Sequence, residues 1–157
     1  MAELKTNAVR TLDKNHIPYR LHAYEPGDSV DGVSVAAKLG QDPEKVYKTL
    51  VTKGKSGGHH VFVIPVAEEL DLKKAARAAG EKAVEMIPVK DLLKTTGYIR
   101  GGCSPVGMKK PFPTVIHAAA EDLDAFCVSA GRIGLQIEVK PTQLAELIGA
   151  AFEDIIR

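Results

Sequence analysis

The sequence predicts an α+β fold in which a mixed sheet carries about five helices. Three observations lead to this fold class: some segments have apolar residues at helical spacing between capping residues, others alternate in polarity or are rich in β-branched residues, and no repeat or long linker separates them. A length of 157 residues suits one domain, so we expect residues 1–157 to form a single domain.

The first half of the chain is expected to alternate helices and strands. Ala8, Val9 and Leu12 have helical spacing, and Pro18 ends that segment. The elements predicted in order are a helix over 6–15, a strand over 19–24, a loop over 25–32, a helix over 33–39 that ends at Gly40, and strands over 46–52 and 59–66 joined by a hairpin loop.

The second half is expected to contain three helices and four strands. Asp71 is a typical N-cap, and Leu135, Ile137 and Val139 alternate with polar residues as in a half-buried strand. The predicted elements are helices over 72–79, 88–94 and 141–148, strands over 84–86, 114–117, 126–129 and 135–139, and a turn over 130–132.

Composition excludes several classes of function. The formal net charge of +1 argues against a DNA-binding protein, and no apolar run approaches the roughly 18 residues of a membrane helix. The polar start predicts a cytoplasmic protein, in keeping with only two cysteines. We expect no cofactor and no metal site, because adjacent strand residues such as His59 and His60 point to opposite faces.

The segment 97–107 is rich in glycine and includes Cys103, Ser104 and Pro105. Such a segment is poor at forming a helix or central strand, but its backbone N–H groups can approach a ligand closely. The segment therefore predicts either a cradle for a developing oxyanion or a loop that only turns the chain. Cys103 has two interpretations, as a nucleophile or as a small buried apolar residue, and the second is the more common for a free cysteine.

A lysine interrupts the predicted buried strand over 46–52. Lys48 must reach solvent, pair with an acid or face a cleft, and an edge-strand lysine that discourages aggregation is the alternative. Hydroxyl groups of Tyr24, Thr49, Ser104 and Ser129 lie in or beside predicted strands and loops. Each of them alone is typical of a cap or turn, but together with Lys48 they suit a carboxyl, ester or phosphate ligand.

Two basic clusters are candidates for contact with a phosphate backbone. One comprises Lys73, Lys74 and Arg77 on a predicted helix, and the other is Lys109 with Lys110. Lys73 and Arg77 share a helix face because they are four residues apart. A solvated charged face is the alternative interpretation.

Several motifs in this order resemble the YbaK family. They are Val46-Tyr47-Lys48-Thr49-Leu50, Pro65-Val66 with Leu70-Asp71-Leu72-Lys73-Lys74, the run from Gly97-Tyr98 to Gly107, and Val128-Ser129 with Gly134-Leu135. Members of this family are stand-alone deacylases of cysteinyl-tRNA(Pro), similar to the editing insertion domain of bacterial prolyl-tRNA synthetases. The resemblance extends from about Ala8 to Arg157.

The resemblance implies a largely antiparallel, partly curled sheet with surrounding helices and a central cleft. It implies hydrolysis of the ester between a wrong amino acid and the 3′ end of tRNA, a remedy for the poor discrimination between small side chains. Mischarged tRNA is the implied substrate and prolyl-tRNA synthetase a further partner. The substrate's own thiol attacks the ester in this family, which makes the reaction intramolecular.

The site residues expected from the motifs and the resemblance fall into two groups. The catalytic group is Lys48, Gly101 and Gly102. The N–H groups of the two glycines are expected to face the carbonyl oxygen. The substrate-binding group is Tyr24, Asp31, Thr49, Cys103, Ser104, Pro105, Ser129 and Gly131.

The sequence departs from the family pattern at three positions. Gln136 replaces an acidic residue, Asp31 stands where the best-known members have phenylalanine, and Cys103 replaces an aliphatic residue. These departures leave two alternatives to a cysteinyl-tRNA deacylase: an alanyl-tRNA(Pro) deacylase and a non-catalytic module that binds tRNA or a synthetase.

Overall fold

The computed structural model describes residues 5–25 and 31–157, and the predicted loop over 25–32 therefore lies partly outside the described residues. The helices within those ranges are α1 Asn7–Lys14, α2 Gly32–Leu39, α3 Leu72–Ala79, α4 Val89–Thr96 and α5 Pro141–Ile148. The strands are β1 Tyr19–Ala23, β2 Tyr47–Gly54, β3 His59–Pro65, β4 Val84–Met86, β5 Thr114–His117, β6 Phe126–Arg132, β7 Leu135–Val139 and β8 Ala151–Glu153. Two short 3₁₀ helices cover Pro43–Lys45 and Ala118–Asp122.

The strands form two open sheets. One has the order β1-β7-β6 and is antiparallel throughout, and the other has the order β4-β2-β3-β5-β8. Pairing in the larger sheet is antiparallel from β4 to β3 and parallel from β3 to β8. The predicted α+β class with a mixed, largely antiparallel sheet is confirmed, but the strands do not close into one curled surface. A parallel bridge between Val46 and Cys127 joins the two sheets.

The main core lies between the two sheets. Inward residues of β2, β3 and β5 meet those of β6 and β7, and α1 and α5 close the ends. A second cluster, on the other face of the larger sheet, packs α3 on Phe62 and Ile64. Alternation along each strand explains this division, because successive side chains point to opposite faces.

Capping residues set the helix ends largely as the sequence predicts. Thr6 accepts a hydrogen bond from the Val9 N–H and begins α1, and Asp71 accepts from two backbone N–H groups and begins α3. The described residues contain no helix suited to crossing a membrane, since each α-helix has only eight residues.

The predicted turn over 130–132 is wrong. These residues continue β6, and the reversal falls at Ile133 and Gly134. The pairing register shifts between Ser129 and Arg132, which marks a β-bulge. Gly131 has φ +102° in this bulge, so a glycine that resembles a turn residue in the sequence serves an irregular strand instead.

Candidate active site

A small cavity opens where the start of β2, the start of α2, the glycine-rich loop and the three-stranded sheet meet. Its volume is about 110 Å³, which suits a group of a few heavy atoms better than the several hundred Å³ of a drug-sized ligand. The lining residues are Tyr24, Gly32, Val35, Val46, Tyr47, Lys48, Thr49, Val66, Gly101, Cys103, Ser129 and Gln136.

The packing of α2 and the bridge between the sheets assemble this cavity. A small apolar cluster of Ala36, Val46, Val66 and Cys127 fixes α2 against both sheets. Asp31 does not line the cavity; it caps α2 by accepting a hydrogen bond from the Ser34 N–H at 3.0 Å. Asp31 therefore fixes the helix that supplies Gly32 and Val35, and its expected role in substrate binding stays a prediction.

Lys48 lies at the cavity, as the sequence predicts. It is half-buried on β2 opposite Ile64, and it forms no ion pair with any residue in the described part of the chain. An unpaired cation beside a small cavity is suited to an anionic or strongly polar ligand atom. Tyr24 and Ser129, also predicted, line the same cavity.

Two hydroxyl groups on β2 have no hydrogen-bond partner among the described residues. They are the Tyr47 hydroxyl and Thr49 Oγ1, both of them buried oxygen atoms of residues that line the cavity. Burial raises the pKa of Tyr47 to about 12, with a smaller contribution from the charge of Glu44. Buried hydroxyl groups are usually paired, so these two are candidates for contact with a ligand.

The glycine-rich loop contributes one glycine to the cavity wall. Gly101 lines the wall with φ +84°. The expectation that the Gly102 N–H faces a carbonyl oxygen is wrong, because this group donates to the Ile99 carbonyl at 2.9 Å. A Cβ at Gly102 would lie 2.9 Å from the Arg132 Cα, so this glycine instead allows the loop to approach β6.

Three further residues predicted to bind substrate support the site without lining it. Ser104 is fully buried and its Oγ accepts from the Val106 N–H at 3.2 Å. Pro105 lines a separate cavity beside α5, and the Gly131 N–H donates to Ser129 Oγ at 3.1 Å. Ser104 Oγ and the Gly131 N–H, which the sequence suggested for the ligand, are therefore already used in hydrogen bonds within the protein.

Cys103 lines the cavity but is a poor nucleophile. It is only 8% exposed, and burial raises the pKa of its thiol to about 11, against a small opposing effect of Thr96. Since the thiolate is the reactive form, this raised pKa disfavours Cys103 as a nucleophile at neutral pH. The apolar interpretation of this residue is the one that the geometry supports.

Gln136 is a cavity residue that the sequence marked only as a departure from the family. Its Oε1 accepts from Gln41 Nε2 at 2.8 Å, which fixes the orientation of the amide. It lies opposite Ser129 on β6 and opposite His22 on β1. That register, which depends on the bulge in β6, could not be derived from the sequence.

A neighbouring group of His22, Cys127 and Glu138 has ligand atoms within 4.8 Å of one another. His22 Nε2 and Glu138 Oε1 already lie 2.7 Å apart, and Cys127 Sγ is 3.6 Å from Gln41 Nε2. Burial, with the charge of Glu138, raises the pKa of Cys127 to about 12. Contacts within the protein therefore account for these donor atoms.

Some side chains of the two basic clusters form hydrogen bonds within the described part of the protein and others do not. Lys74 Nζ donates to Asp154 at 3.0 Å and to the Ile156 carbonyl at 2.9 Å, and Lys109 Nζ donates to the Lys94 carbonyl. Lys74 and Lys109 therefore serve the fold. The remaining candidates for tRNA contact are Lys73, Arg77 and Lys110.

Comparisons with known proteins identify the family of the chain. Residues 26–147 match the model of the aminoacyl-tRNA editing domain. The chain is 47% identical over 152 residues to the "Putative Cys-tRNA(Pro)/Cys-tRNA(Cys) deacylase EbsC" of Enterococcus faecalis, with 96% of this chain and 93% of that protein covered.

Solved structures show the same fold. A crystal structure titled as a "putative trans-editing enzyme for prolyl tRNA synthetase" superposes with a TM-score of 0.80 at 23% identity and covers 98% of each chain. That of "hypothetical protein APE2540" superposes with a TM-score of 0.87 at 24% identity, over 97% of this chain and 100% of that one. The matched domain model and the 47% identical relative show that the chain belongs to the aminoacyl-tRNA editing domain family.

Proposed function

We propose that residues 1–157 form one deacylase that removes cysteine from mischarged tRNA(Pro), and from cysteinyl-tRNA(Cys) as well. The observation that carries this proposal is a small cavity with one lysine and two glycines, Gly32 and Gly101, at its wall, and with no histidine or carboxylate among its described lining residues. Membership of the editing family supports the reaction class, and the name of the 47% identical relative supports the substrate.

The chemistry follows from what the cavity holds. Burial disfavours the thiolate of Cys103, and no histidine or carboxylate among the described lining residues lies there to activate it, so in this proposal the nucleophile comes from the substrate. The thiol sulfur of the bound cysteine attacks its own ester carbonyl and forms the C–S bond of a thiolactone. The bond to the ribose oxygen breaks, the thiol proton passes to that oxygen, and water then opens the thiolactone to free cysteine.

The residues at the wall have complementary roles in this scheme. The Gly101 N–H stabilises the negative charge that develops on the carbonyl oxygen, and Lys48 polarises the ester or holds the adjacent ribose or phosphate. Tyr24, Thr49 and Ser129 orient the aminoacyl group, so that the intramolecular attack starts from a favourable geometry.

The test is a deacylation assay with cysteinyl-tRNA(Pro), alanyl-tRNA(Pro) and seryl esters of the same tRNA. We expect turnover of the cysteinyl ester and slow reaction of the others, since they lack a thiol. Lys48→Ala should reduce the rate by roughly 10²- to 10³-fold. Lys53→Ala is the matched control, because Lys53 is exposed on the same strand and does not line the cavity.

Each alternative function has its own outcome in this assay. Turnover of the alanyl ester without the cysteinyl ester would favour an alanyl-tRNA(Pro) deacylase. Binding of tRNA without any turnover would favour a non-catalytic module, and full activity of Lys48→Ala would remove this cavity as the site.

Delivery by prolyl-tRNA synthetase in the cytoplasm is part of the proposal. A formal net charge of +1 gives little general attraction for a polyanion, so a partner that holds the tRNA would raise the local concentration of its 3′ end. Addition of the synthetase should lower KM for the mischarged tRNA and leave kcat unchanged. An unchanged KM would argue for direct capture of free tRNA.

A further inference from the structure

We propose that the Tyr47 hydroxyl contacts the side chain of the bound amino acid and favours cysteine over alanine. This inference rests on the proposed function, because it assigns the end of the cavity that holds the aminoacyl side chain. Neither the motifs nor the comparisons assign a role to Tyr47.

The position of the Tyr47 hydroxyl is fixed before any ligand binds. The residue is 3% exposed, and its ring packs edge-on against Phe126 with centroids 5.1 Å apart. Its hydroxyl nevertheless is buried and has no hydrogen-bond partner in residues 5–25 and 31–157, and the residue itself lines the cavity. An unpaired hydroxyl on a rigid ring that lines a cavity is a candidate for contact with a ligand, because burial of an unpaired hydroxyl is unfavourable.

The surroundings of this hydroxyl suit a small and weakly polar side chain. Thr49, two residues along β2 and therefore on the same face, presents a second unpaired hydroxyl. Much of the remaining wall is apolar and includes Val35, Val46 and Val66. A thiol is a weak donor and a weak acceptor, and a hydroxyl group can meet it in either sense, whereas the methyl group of alanine can do neither.

Tyr98 shows how the same fold treats a buried tyrosine without such a role. It is 6% exposed, comparable with Tyr47, and its hydroxyl donates to the Val106 carbonyl at 2.7 Å. Burial raises the pKa of both tyrosines to about 12, so they differ in hydrogen bonding rather than in environment. Tyr98 therefore provides a matched control.

The experiment measures the binding of two stable probes, the 3′-cysteinylamide and 3′-alanylamide analogues of the terminal adenosine, by titration calorimetry. Tyr47→Phe should weaken binding of the cysteinyl probe about tenfold and of the alanyl probe less than about threefold, since only one hydrogen bond is lost. Tyr98→Phe should leave the ratio of the two dissociation constants unchanged. The two probes share every other group, so the ratio isolates the side chain.

Thermal unfolding of the free variants gives a second measurement. Tyr47→Phe removes no intramolecular hydrogen bond and should not lower Tm, whereas Tyr98→Phe leaves the Val106 carbonyl unpaired and should lower Tm by about 2–4 °C. A Tm for Tyr47→Phe as low as that of Tyr98→Phe would show that the hydroxyl serves the fold and would overturn the proposal.

The outcomes separate this inference from the proposed function. Equal weakening of both probes by Tyr47→Phe, or no weakening of either, would overturn the role in side-chain recognition and leave the deacylase intact. If wild-type protein binds the cysteinyl probe selectively through Tyr47 but does not deacylate cysteinyl-tRNA(Pro), the proposed function fails and the recognition stands.

Discussion

At the scale of single residues, Cys103 separates two mechanisms. Cys103→Ser preserves the size of the side chain but removes the thiol. Because burial holds the pKa of Cys103 near 11, we expect kcat for cysteinyl-tRNA(Pro) to change less than tenfold, with any larger effect on KM through the altered wall. Single-turnover kinetics measure this directly. A loss of several orders of magnitude in kcat would make Cys103 the nucleophile.

The polar residue types of the site are more predictable from the sequence than its backbone contacts. Lys48, Thr49 and Ser129 stand out because a charge or hydroxyl group interrupts an apolar strand, and all three line the cavity. Gly102 and Gly131 stand out equally, yet their N–H groups bond to Ile99 and Ser129. A glycine indicates that the backbone comes close to something, but it does not say whether that is a ligand or the protein itself.

At the scale of secondary-structure elements, the bulge in β6 positions Ser129. Gly131→Ala would force a side chain into φ +102°, with its Cβ 2.9 Å from Tyr98 Cε1. We expect destabilisation by more than about 1 kcal/mol and a loss of deacylase activity, because the bond from this residue to Ser129 Oγ would shift. Denaturant unfolding and the cysteinyl-tRNA assay measure the two effects.

Gly57→Ala is the control for that variant. Gly57 also has a positive φ, of +99°, but a Cβ there would meet nothing within 4 Å, and the residue lies in the β2–β3 hairpin loop. It should lose stability and retain activity. Equal losses of activity in both variants would show that the bulge has no particular role at the site.

The hairpin between β2 and β3 is held by a carboxylate from the segment after α3. Glu81 accepts hydrogen bonds from the Ser56 hydroxyl at 2.6 Å and the Ser56 N–H at 3.0 Å, and its Oε2 is 2.7 Å from His60 Nε2. These contacts lower the pKa of Glu81 from 4.5 to about 2, with the Ser56 hydroxyl as the largest cause. The folded state therefore favours the ionised carboxylate.

This pKa shift predicts a pH dependence of stability. A carboxylate with a depressed folded-state pKa stabilises fully above its unfolded value of 4.5, and the contribution is lost as the pH falls toward 2. Glu81→Gln should therefore flatten the decrease in the free energy of unfolding over that interval, as measured by denaturant unfolding. Glu69→Gln is the control, because Glu69 forms an exposed ion pair with Arg157. Equal slopes in wild type and Glu81→Gln would refute the expectation.

Element boundaries can be predicted from the sequence where local capping residues set them. They cannot be predicted where pairing between distant segments sets them. Asp71 and Gly80 bound α3 as expected, since a cap and a left-handed glycine act within one turn. β8 was not predicted, because Ala151–Glu153 becomes a strand only by pairing with β5. The two-sheet arrangement likewise depends on the Val46–Cys127 bridge, which joins residues far apart in the chain.

At the scale of the whole molecule, the near-neutral net charge gives little general attraction for tRNA, so any electrostatic contact must come from a few side chains. Lys74 is tied to Asp154 and to the Ile156 carbonyl, so of the α3 cluster Lys73 and Arg77 remain available on one helix face. If both contact phosphates, they supply a salt-dependent part of the affinity that the net charge does not.

The double variant Lys73→Glu/Arg77→Glu tests this contact. We expect kcat/KM for cysteinyl-tRNA(Pro) to fall. The slope of log(kcat/KM) against log[salt] should become less steep by about 1.4, because each lost contact with a phosphate of a single strand accounts for about 0.7. Lys90→Glu/Lys94→Glu on α4 changes the net charge by the same amount with the same spacing. An equal effect of the α4 pair would mean that general charge acts rather than a site. A loss confined to the α3 pair would place the tRNA body along α3, with its 3′ end at the cavity beside Lys48.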